Sequence, residues 1–433
     1  MSEPNSRKIE VKALTRVEGE GALRVQLRGD QITGVELAIY EPPRFFEALL
    51  RGRPIEEVPD ITARICGICP VAYQMTSIHA LENALGVEVT PEIRSLRRLL
   101  YCGEWIESHG VHIHLLHIPD FFGCSSSIEL AKQYPQEVSR GLRLKKHGNE
   151  LLEVLGGRAV HPINVAVGGF FRAPSRTRIR ALIEDFQWGL DAAVETARWV
   201  STFEFPSFDQ QYEMVALVHD DEYPMNEGRI ESTDGLSINA SEYESFFAER
   251  HVPHSTALQS VKLPDQTNYH VGPLARVNLN RQQLSPVAQQ VMSELPVTWP
   301  CFNPYQSIVA RAIEVIHAYE EALDRMREYE PFQPERIAYE PCESEGVAAT
   351  EAPRGLIYHR YRMTDDGKVS FAKIVPPTSQ NQGQIEADLR QFLPSILHHD
   401  DATMAMECEK LIRCYDPCIS CATHFLKLQI DRE

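Results

Sequence analysis

Two Cys-x-x-Cys steps at opposite ends of the chain, Cys66-Gly67-Ile68-Cys69 and Cys418-Ile419-Ser420-Cys421, constrain its fold more than any other feature. The thiolate, not the thiol, is a metal ligand, and a C-x-x-C step lets two sulfurs converge on one ion. Two such steps can furnish a four-sulfur site, provided that the fold returns its end to its beginning. Locally folded zinc modules set the second pair roughly 15–20 residues after the first, whereas here nearly the whole chain intervenes. A zinc staple made from both pairs remains compatible with the spacing. A thioredoxin-like pair needs a preceding βαβ context, which residues 40–65, with Pro42, Pro43, Pro54 and Pro59, do not supply.

The 433 residues are 43% hydrophobic and 24% charged, values of an ordinary globular protein with a sizeable core. No apolar run approaches the roughly 18 residues of a membrane helix, so no direct membrane insertion is expected. The start, MSEPNSRKIEVKAL, has neither signal-peptide regions nor a twin arginine, and the expected location is the cytoplasm. Thiols stay reduced there, which makes the ten cysteines ligands, reactive groups or buried hydrophobes rather than a disulfide frame. A net charge of −18 argues against a general nucleic-acid surface.

Helical patterns dominate. One helix opens at Pro91 and runs through Ile93, Leu96, Leu100, Trp105 and Ile106 toward Ile118; others are expected at about 179–203, 306–329 and 385–397. Alternation around Gly29-Asp30 and around Asp365-Asp366-Gly367 predicts hairpins over 23–39 and 355–375. Residues 205–305 show no clear period.

The flanks of the cysteines carry a resemblance. Arg16-Val17-Glu18-Gly19, Arg64 to Pro70, Glu351-Ala352-Pro353-Arg354-Gly355 and Asp416-Pro417-Cys418 to His424 stand in the order found in the large, catalytic subunit of nickel-iron hydrogenases. Ser108-His109 with His112, Pro119-Asp120, Gly156-Gly157-Arg158 with His161-Pro162, and Gly168-Gly169 agree. A single C-x-x-C is a weak signal; two with these flanks and companions in order form a specific one. The resemblance implies a mainly α fold with small peripheral β-sheets: a multi-helical hydrogenase large-subunit fold around a central helical bundle. It forms a single unit over 1–433, with a hairpin at about 9–40 and another at about 355–375.

By the same resemblance Cys66, Cys69, Cys418 and Cys421 bind nickel, and Cys69 and Cys421 also bridge to iron in a Ni-Fe(CN)2(CO) centre. Soft thiolates suit redox-active nickel. Heterolytic cleavage of H2 needs a Lewis acid for the hydride and a base for the proton, and Cys418 matches that base. Glu18 matches the first relay carboxylate. Arg354 matches a guanidinium over the open side of the centre, stiffened by Pro353 and positioned by Asp120 and Asp416. Thr378, in the run Pro376 to Asn381, falls where a loop hydroxyl donates to a cyanide. Glu47 and His424 match ligands of a magnesium-like ion, for which iron or zinc are alternatives.

Three departures stand out. Tyr73 replaces a histidine common four residues after the second cysteine, nine residues, FLKLQIDRE, follow His424, where the family is often trimmed, and the chain is shorter than exported members. It looks closer to the cytoplasmic, cofactor-coupled subgroup. Cys102, Cys124, Cys301, Cys342, Cys408 and Cys414 lack cluster spacing and are expected as buried hydrophobes, so electrons need a partner with iron–sulfur clusters. The implied partners are that small subunit, docking near Arg16 to Glu20 and Cys66, with flavin/NAD(P)-binding (FAD) and ferredoxin-like subunits. A maturation protease and metal-insertion chaperones are implied too. The expected acceptor is NAD(P), the alternatives being a deazaflavin-reducing or H2-sensing hydrogenase. A zinc-stapled scaffold and a complex I quinone-site-like subunit stand further off, since the latter lacks the cysteines.

Overall fold

The computed structural model describes residues 6–40 and 45–423, with side chains from Lys8 onward in its first strand. The chain opens in an antiparallel sheet of β1 (Ser6–Val11), β2 (Gly21–Arg28) and β3 (Gln31–Ile39), whose central pairing turns at Gly29-Asp30. Among the helices that follow are α1 (Phe46–Leu50), α2 (Pro70–Leu85), α3 (Pro91–Val111), α4 (Ile118–Phe121), α5 (Pro135–Gly156), α6 (Ile183–Val200), α7 (Pro273–Asn280) and α8 (Ser307–Glu328). After smaller sheets in the middle of the chain, a three-stranded antiparallel sheet of β4 (Ser344–Ala352), β5 (Gly355–Met363) and β6 (Val369–Val375) leads into α9 (Pro377–Ile396), α10 (Asp401–Cys414) and α11 (Ile419–Ala422). The chain is mainly helical with small peripheral sheets, as the resemblance implies.

Helix α3 is the axis of the bundle. Thr90 Oγ1 accepts from Ile93 N and caps it, Pro91 occupies a first-turn position with no amide to satisfy, and Ile93, Leu96, Leu99, Leu100, Trp105 and Ile106 are all buried. Burying each such side chain fully is worth about 1.5–3 kcal/mol. Helix α5 lies against it where two glycines meet: a Cβ on Gly148 would stand 2.5 Å from Gly103 O. The expected continuation to Ile118 is interrupted. His112–His117 form a widened π turn, because Pro119 has no N–H to return to Leu115. In α8 the stripe Ile308, Ala312, Ile313, Ile316, Tyr319 and Leu323 is buried as expected.

Other expectations are corrected in detail. The helix expected over 179–203 is split into Arg176–Arg180 and Ile183–Val200. The helix expected at 385–397 starts at Pro377, so the run Pro376 to Asn381 is largely a first helical turn rather than a loop. Its polar side chains are buried and used: Asn381 Oδ1 accepts from Val271 N at 2.9 Å, and Gln382 Nε2 donates to Ser255 Oγ at 2.9 Å. Cys342 is exposed, while Cys102, Cys124, Cys301, Cys408 and Cys414 are buried. Among the described residues no helix is long and apolar enough to cross a membrane.

Candidate metal centre

The two cysteine pairs meet. The four Sγ atoms lie within 4.8 Å of one another and all four residues are buried. Cys66 and Cys69 sulfurs are 2.7 Å apart, Cys418 and Cys421 2.6 Å, and Cys66 and Cys418 3.6 Å. Each pair is anchored by its surroundings. Cys69 precedes Pro70 of α2, and the amides of Val71 and Ala72 donate to the Glu104 carboxylate of α3 at 2.6 and 3.1 Å, tying the first pair to the bundle axis. Cys66 Sγ accepts from Cys69 N at 3.1 Å. For the second pair, Cys418 N donates to Thr378 Oγ1 at 3.0 Å, and Ile419 N donates to Glu18 O at 2.9 Å.

Burial pushes the Cys69, Cys418 and Cys421 thiols well above their ordinary range. At Cys66 burial also works upward, but hydrogen bonds from Cys418, Cys421 and Cys69 outweigh it and hold that thiol low. Four buried sulfurs at such distances repel one another as thiolates unless a cation sits among them. A soft, all-thiolate donor set fits nickel, and spacing alone does not distinguish it from zinc. Tyr73, fully buried on α2, has a hydroxyl with no hydrogen-bond partner among the described residues. Burial, then Cys421, Cys69, Cys418 and Cys66, push its phenol well above the usual value, so it sits within reach of the sulfurs' field.

The other expected residues distribute as follows. Glu18, half-buried, pairs with Cys418 in a short parallel bridge. Its Oε2 accepts from Cys418 Sγ at 3.1 Å and from Ser420 N at 3.1 Å, and its Oε1 accepts from Ser420 Oγ. Arg354 is 2% exposed and stands at the tip joining β4 to β5, beside Pro353. Its Nε donates to Asp416 O at 2.9 Å, its Nη2 to Asp416 Oδ1 at 3.2 Å and its Nη1 to Ser108 Oγ at 3.5 Å. Burial opposes the charge, yet Asp416 and then the sulfurs of Cys418, Cys69 and Cys66 outweigh it and keep the guanidinium protonated. Asp416 adopts a left-handed φ of 50°, which aspartate tolerates better than most residues. Glu47, on α1, accepts from Ile374 N at 2.7 Å. His424 lies outside the described residues.

Asp120, expected beside Arg354, is engaged elsewhere. Arg413 grips it with Nε to Oδ2 and Nη2 to Oδ1, both 2.8 Å, and Arg16 closes the other side. Arg354 already turns its Nε and Nη2 to the carboxylate of Asp416, each at 3.2 Å, whereas Arg413 on α10 presents its fork to Asp120. Burial alone would raise the Asp120 carboxyl; the bonds and charges from Arg413, His117 and Arg16 carry it below its ordinary value. A carboxyl lowered in the folded state stabilises above its unfolded pKa of about 3.9 and loses that contribution as pH falls. Asp120→Asn should therefore destabilise the subunit by about 3–5 kcal/mol at neutral pH. In urea titrations the deficit should shrink toward pH 3; a constant deficit would contradict the assignment.

Sequence reasoning missed Ser108, Glu104, Ser420 and Arg276. Ser108 and Ser420 lie inside or beside noted motifs, which was the available signal; Glu104 and Arg276 carry none beyond being charged residues in apolar stretches.

Four converging buried sulfurs, a carboxylate against one of them and a fixed cation nearby define a thiolate-ligated metalloenzyme centre. The chain matches the nickel-dependent hydrogenase model over residues 44–141 and 241–424. It is 32% identical to the sulfhydrogenase 1 subunit alpha of Pyrococcus furiosus, over 97% of this chain and 98% of that protein. It is 28% identical to the NAD-reducing hydrogenase HoxS subunit beta of Cupriavidus necator, over 97% and 95%. Its fold matches a crystal structure of an NAD+-reducing NiFe-hydrogenase in the H2-reduced state with a TM-score of 0.86 and 26% identity, covering 96% of this chain and 99% of that one. The chain belongs to the nickel-dependent hydrogenase family, and it is the large subunit of a nickel-iron hydrogenase.

Proposed function

We propose that this hydrogenase subunit cleaves H2 with Cys418 as proton acceptor, Glu18 as the first group out and Arg354 as a fixed cation beside the sulfurs. The observation that carries this reading is the 3.1 Å contact from Cys418 Sγ to Glu18 Oε2. Cys66, Cys69, Cys418 and Cys421 would hold nickel, Cys69 and Cys421 sharing it with the iron of a Ni-Fe(CN)2(CO) centre. When bound, that centre supplies a redox-active Lewis acid for the electron pair of H2.

The chain's own groups do the rest. Cys418 hands its proton to the carboxylate oxygen it already touches, and Ser420 fixes that carboxylate through two donors. Asp416 holds Arg354 with charge and backbone, and Pro353 stiffens the approach. The Thr378 hydroxyl accepts from Cys418 N, and its own proton would be the donor to a cyanide if the centre were bound. Asp120 acts at one remove, fastening α10, and thus the segment leading to Asp416, to the start of the chain. Glu47 with His424 would hold a magnesium-like ion.

The relatives are subunits of multi-subunit hydrogenases, and the family's large subunits work with a small subunit. We place its docking face near Arg16 to Glu20 and Cys66. Support comes from exposed Val160, Ile163 and Phe171, in the segment joined to α2 by the bond from Gln74 Nε2 to Pro162 O at 3.0 Å. The likeness to NAD-reducing hydrogenases supports NAD(P) as the final acceptor, through further cofactor-bearing subunits, and a cytoplasmic enzyme working as one 1–433 unit. Copurified with its partners, the subunit should carry nickel and iron at about one each and show infrared bands of carbon monoxide and cyanide. Zinc alone at the site would sink the reading. An acceptor screen with NAD+, NADP+ and a deazaflavin tests the coupling.

A further inference from the structure

Arg354 sits in a turn whose carbonyls are gripped from outside. Ala352 pairs with Gly355, so Pro353 and Arg354 form a two-residue connection between β4 and β5. Such connections favour turns with positive φ at their central residues. Proline is locked near −65°, and Arg354 is not among the positive-φ residues. Pro353 pre-sets the first half of the turn, but the twist lacks the match to its strands that positive φ gives, and its carbonyls are held from outside.

Arg276 of α7 holds them. This fully buried guanidinium donates from Nη1 to Ala352 O at 2.8 Å and from Nη2 to Pro353 O at 2.9 Å. Its remaining donors go to Glu314 Oε1 at 2.7 Å, Glu314 Oε2 at 2.9 Å and Glu351 Oε2 at 2.8 Å, so all five N–H groups are used. The indole of Trp105 lies 4.4 Å from its carbon centre. Two glycines allow the close seat: a Cβ on Gly272 (φ +123) would stand 2.9 Å from Arg354 O, and one on Gly355 (φ +134) would stand 2.8 Å from Gly272 N.

We propose that Arg276 is a positioning residue for H2 turnover, acting through Arg354 by fixing the two carbonyls that precede it. The inference rests on the reading of Arg354 above. Lysine keeps the charge of Arg276 but cannot reproduce a five-bond fork. In the large–small subunit complex, Arg276→Lys should lower H2 oxidation per nickel by about a hundredfold, the scale of a 1 Å misplacement. Amide exchange of the 351–356 peptide should quicken, while that of the 46–50 peptide stays as in the parent. In the Arg354→Lys background the same change should add less than about threefold, since both act through one group.

Multiplicative losses in the double variant, or parental exchange at 351–356, would overturn the role of Arg276 alone. Parental turnover in Arg354→Lys would overturn the reading of Arg354 and this inference with it. Should the Arg276 variant fail to accumulate, Glu351→Gln keeps the volume but leaves only one acceptor oxygen for Leu217 N and Arg276 Nη1, and it must show the same non-additivity.

Discussion

Cys418→Ser should yield a folded subunit with little or no nickel and H2 oxidation reduced at least about a thousandfold, beyond the 10–100-fold typical of changes behind the ligands. The hydroxyl is nearly isosteric with the thiol, but it is a hard donor that does not ionise near neutral pH, whereas the site offers sulfur at every other corner. Local structure should survive. The bonds from Cys418 N to Thr378 Oγ1 and from Ile419 N to Glu18 O involve backbone and stay available. Nickel per chain by elemental analysis and dye-linked H2 oxidation decide the matter. Full nickel with parental activity would remove Cys418 from both proposed roles, ligand and proton acceptor. Because the oxygen is also a poor acceptor for the proton of H2, a variant that keeps nickel but loses turnover would separate those roles.

The convergence of distant cysteines was legible because few residue types can be metal ligands and their flanks are distinctive. Hairpins around Gly29-Asp30 and Asp365-Asp366-Gly367 were legible from alternation plus turn residues, and α8 from an unbroken apolar stripe. What escaped was decided by tertiary partners. Helix α5 carries Gly148 and Lys145, whose meaning appears only against α3, and Arg140 and Arg143, whose partners Glu195 and Asp185 lie on α6; β4, Ser-Glu-Gly-Val-Ala-Ala-Thr-Glu-Ala, has only Val347 and Thr350 as strand formers. The polar first turns of α9 look like a loop until Tyr269, Val271 and Ser255 are seen to use them. The resemblance put Asp120 with Arg354, and here it engages Arg413 and Arg16, because a sequence does not tell which of several buried guanidinium groups reaches a given carboxylate. Arg276 was invisible for the same reason: its role lies in the carbonyls it meets, and those belong to a turn far along the chain.

Glu18→Gln should retain nickel and iron yet lose H2 oxidation by about 10²–10⁴-fold, the usual scale of a lost general acid–base partner. Hydrogen–deuterium exchange with solvent protons should fall with it. The substitution is chosen because it leaves the geometry almost alone. A glutamine carbonyl can still accept from Ser420, and Glu18 O still receives Ile419 N through the backbone. What disappears is the capacity to take a proton from Cys418 Sγ and release it again, since an amide does neither at neutral pH. A role confined to bracing the second cysteine pair predicts the opposite pattern, with metal content disturbed and exchange per nickel preserved. Near-parental exchange in a metal-replete Glu18→Gln enzyme would thus close this exit and oblige the proton to leave by another buried group. Glu18→Asp sharpens the comparison, because it keeps the titrating group but shortens its reach to Cys418 and Ser420. If proton transfer is the function, Asp should recover part of the exchange that Gln loses; if bracing is the function, Asp should be the worse of the two.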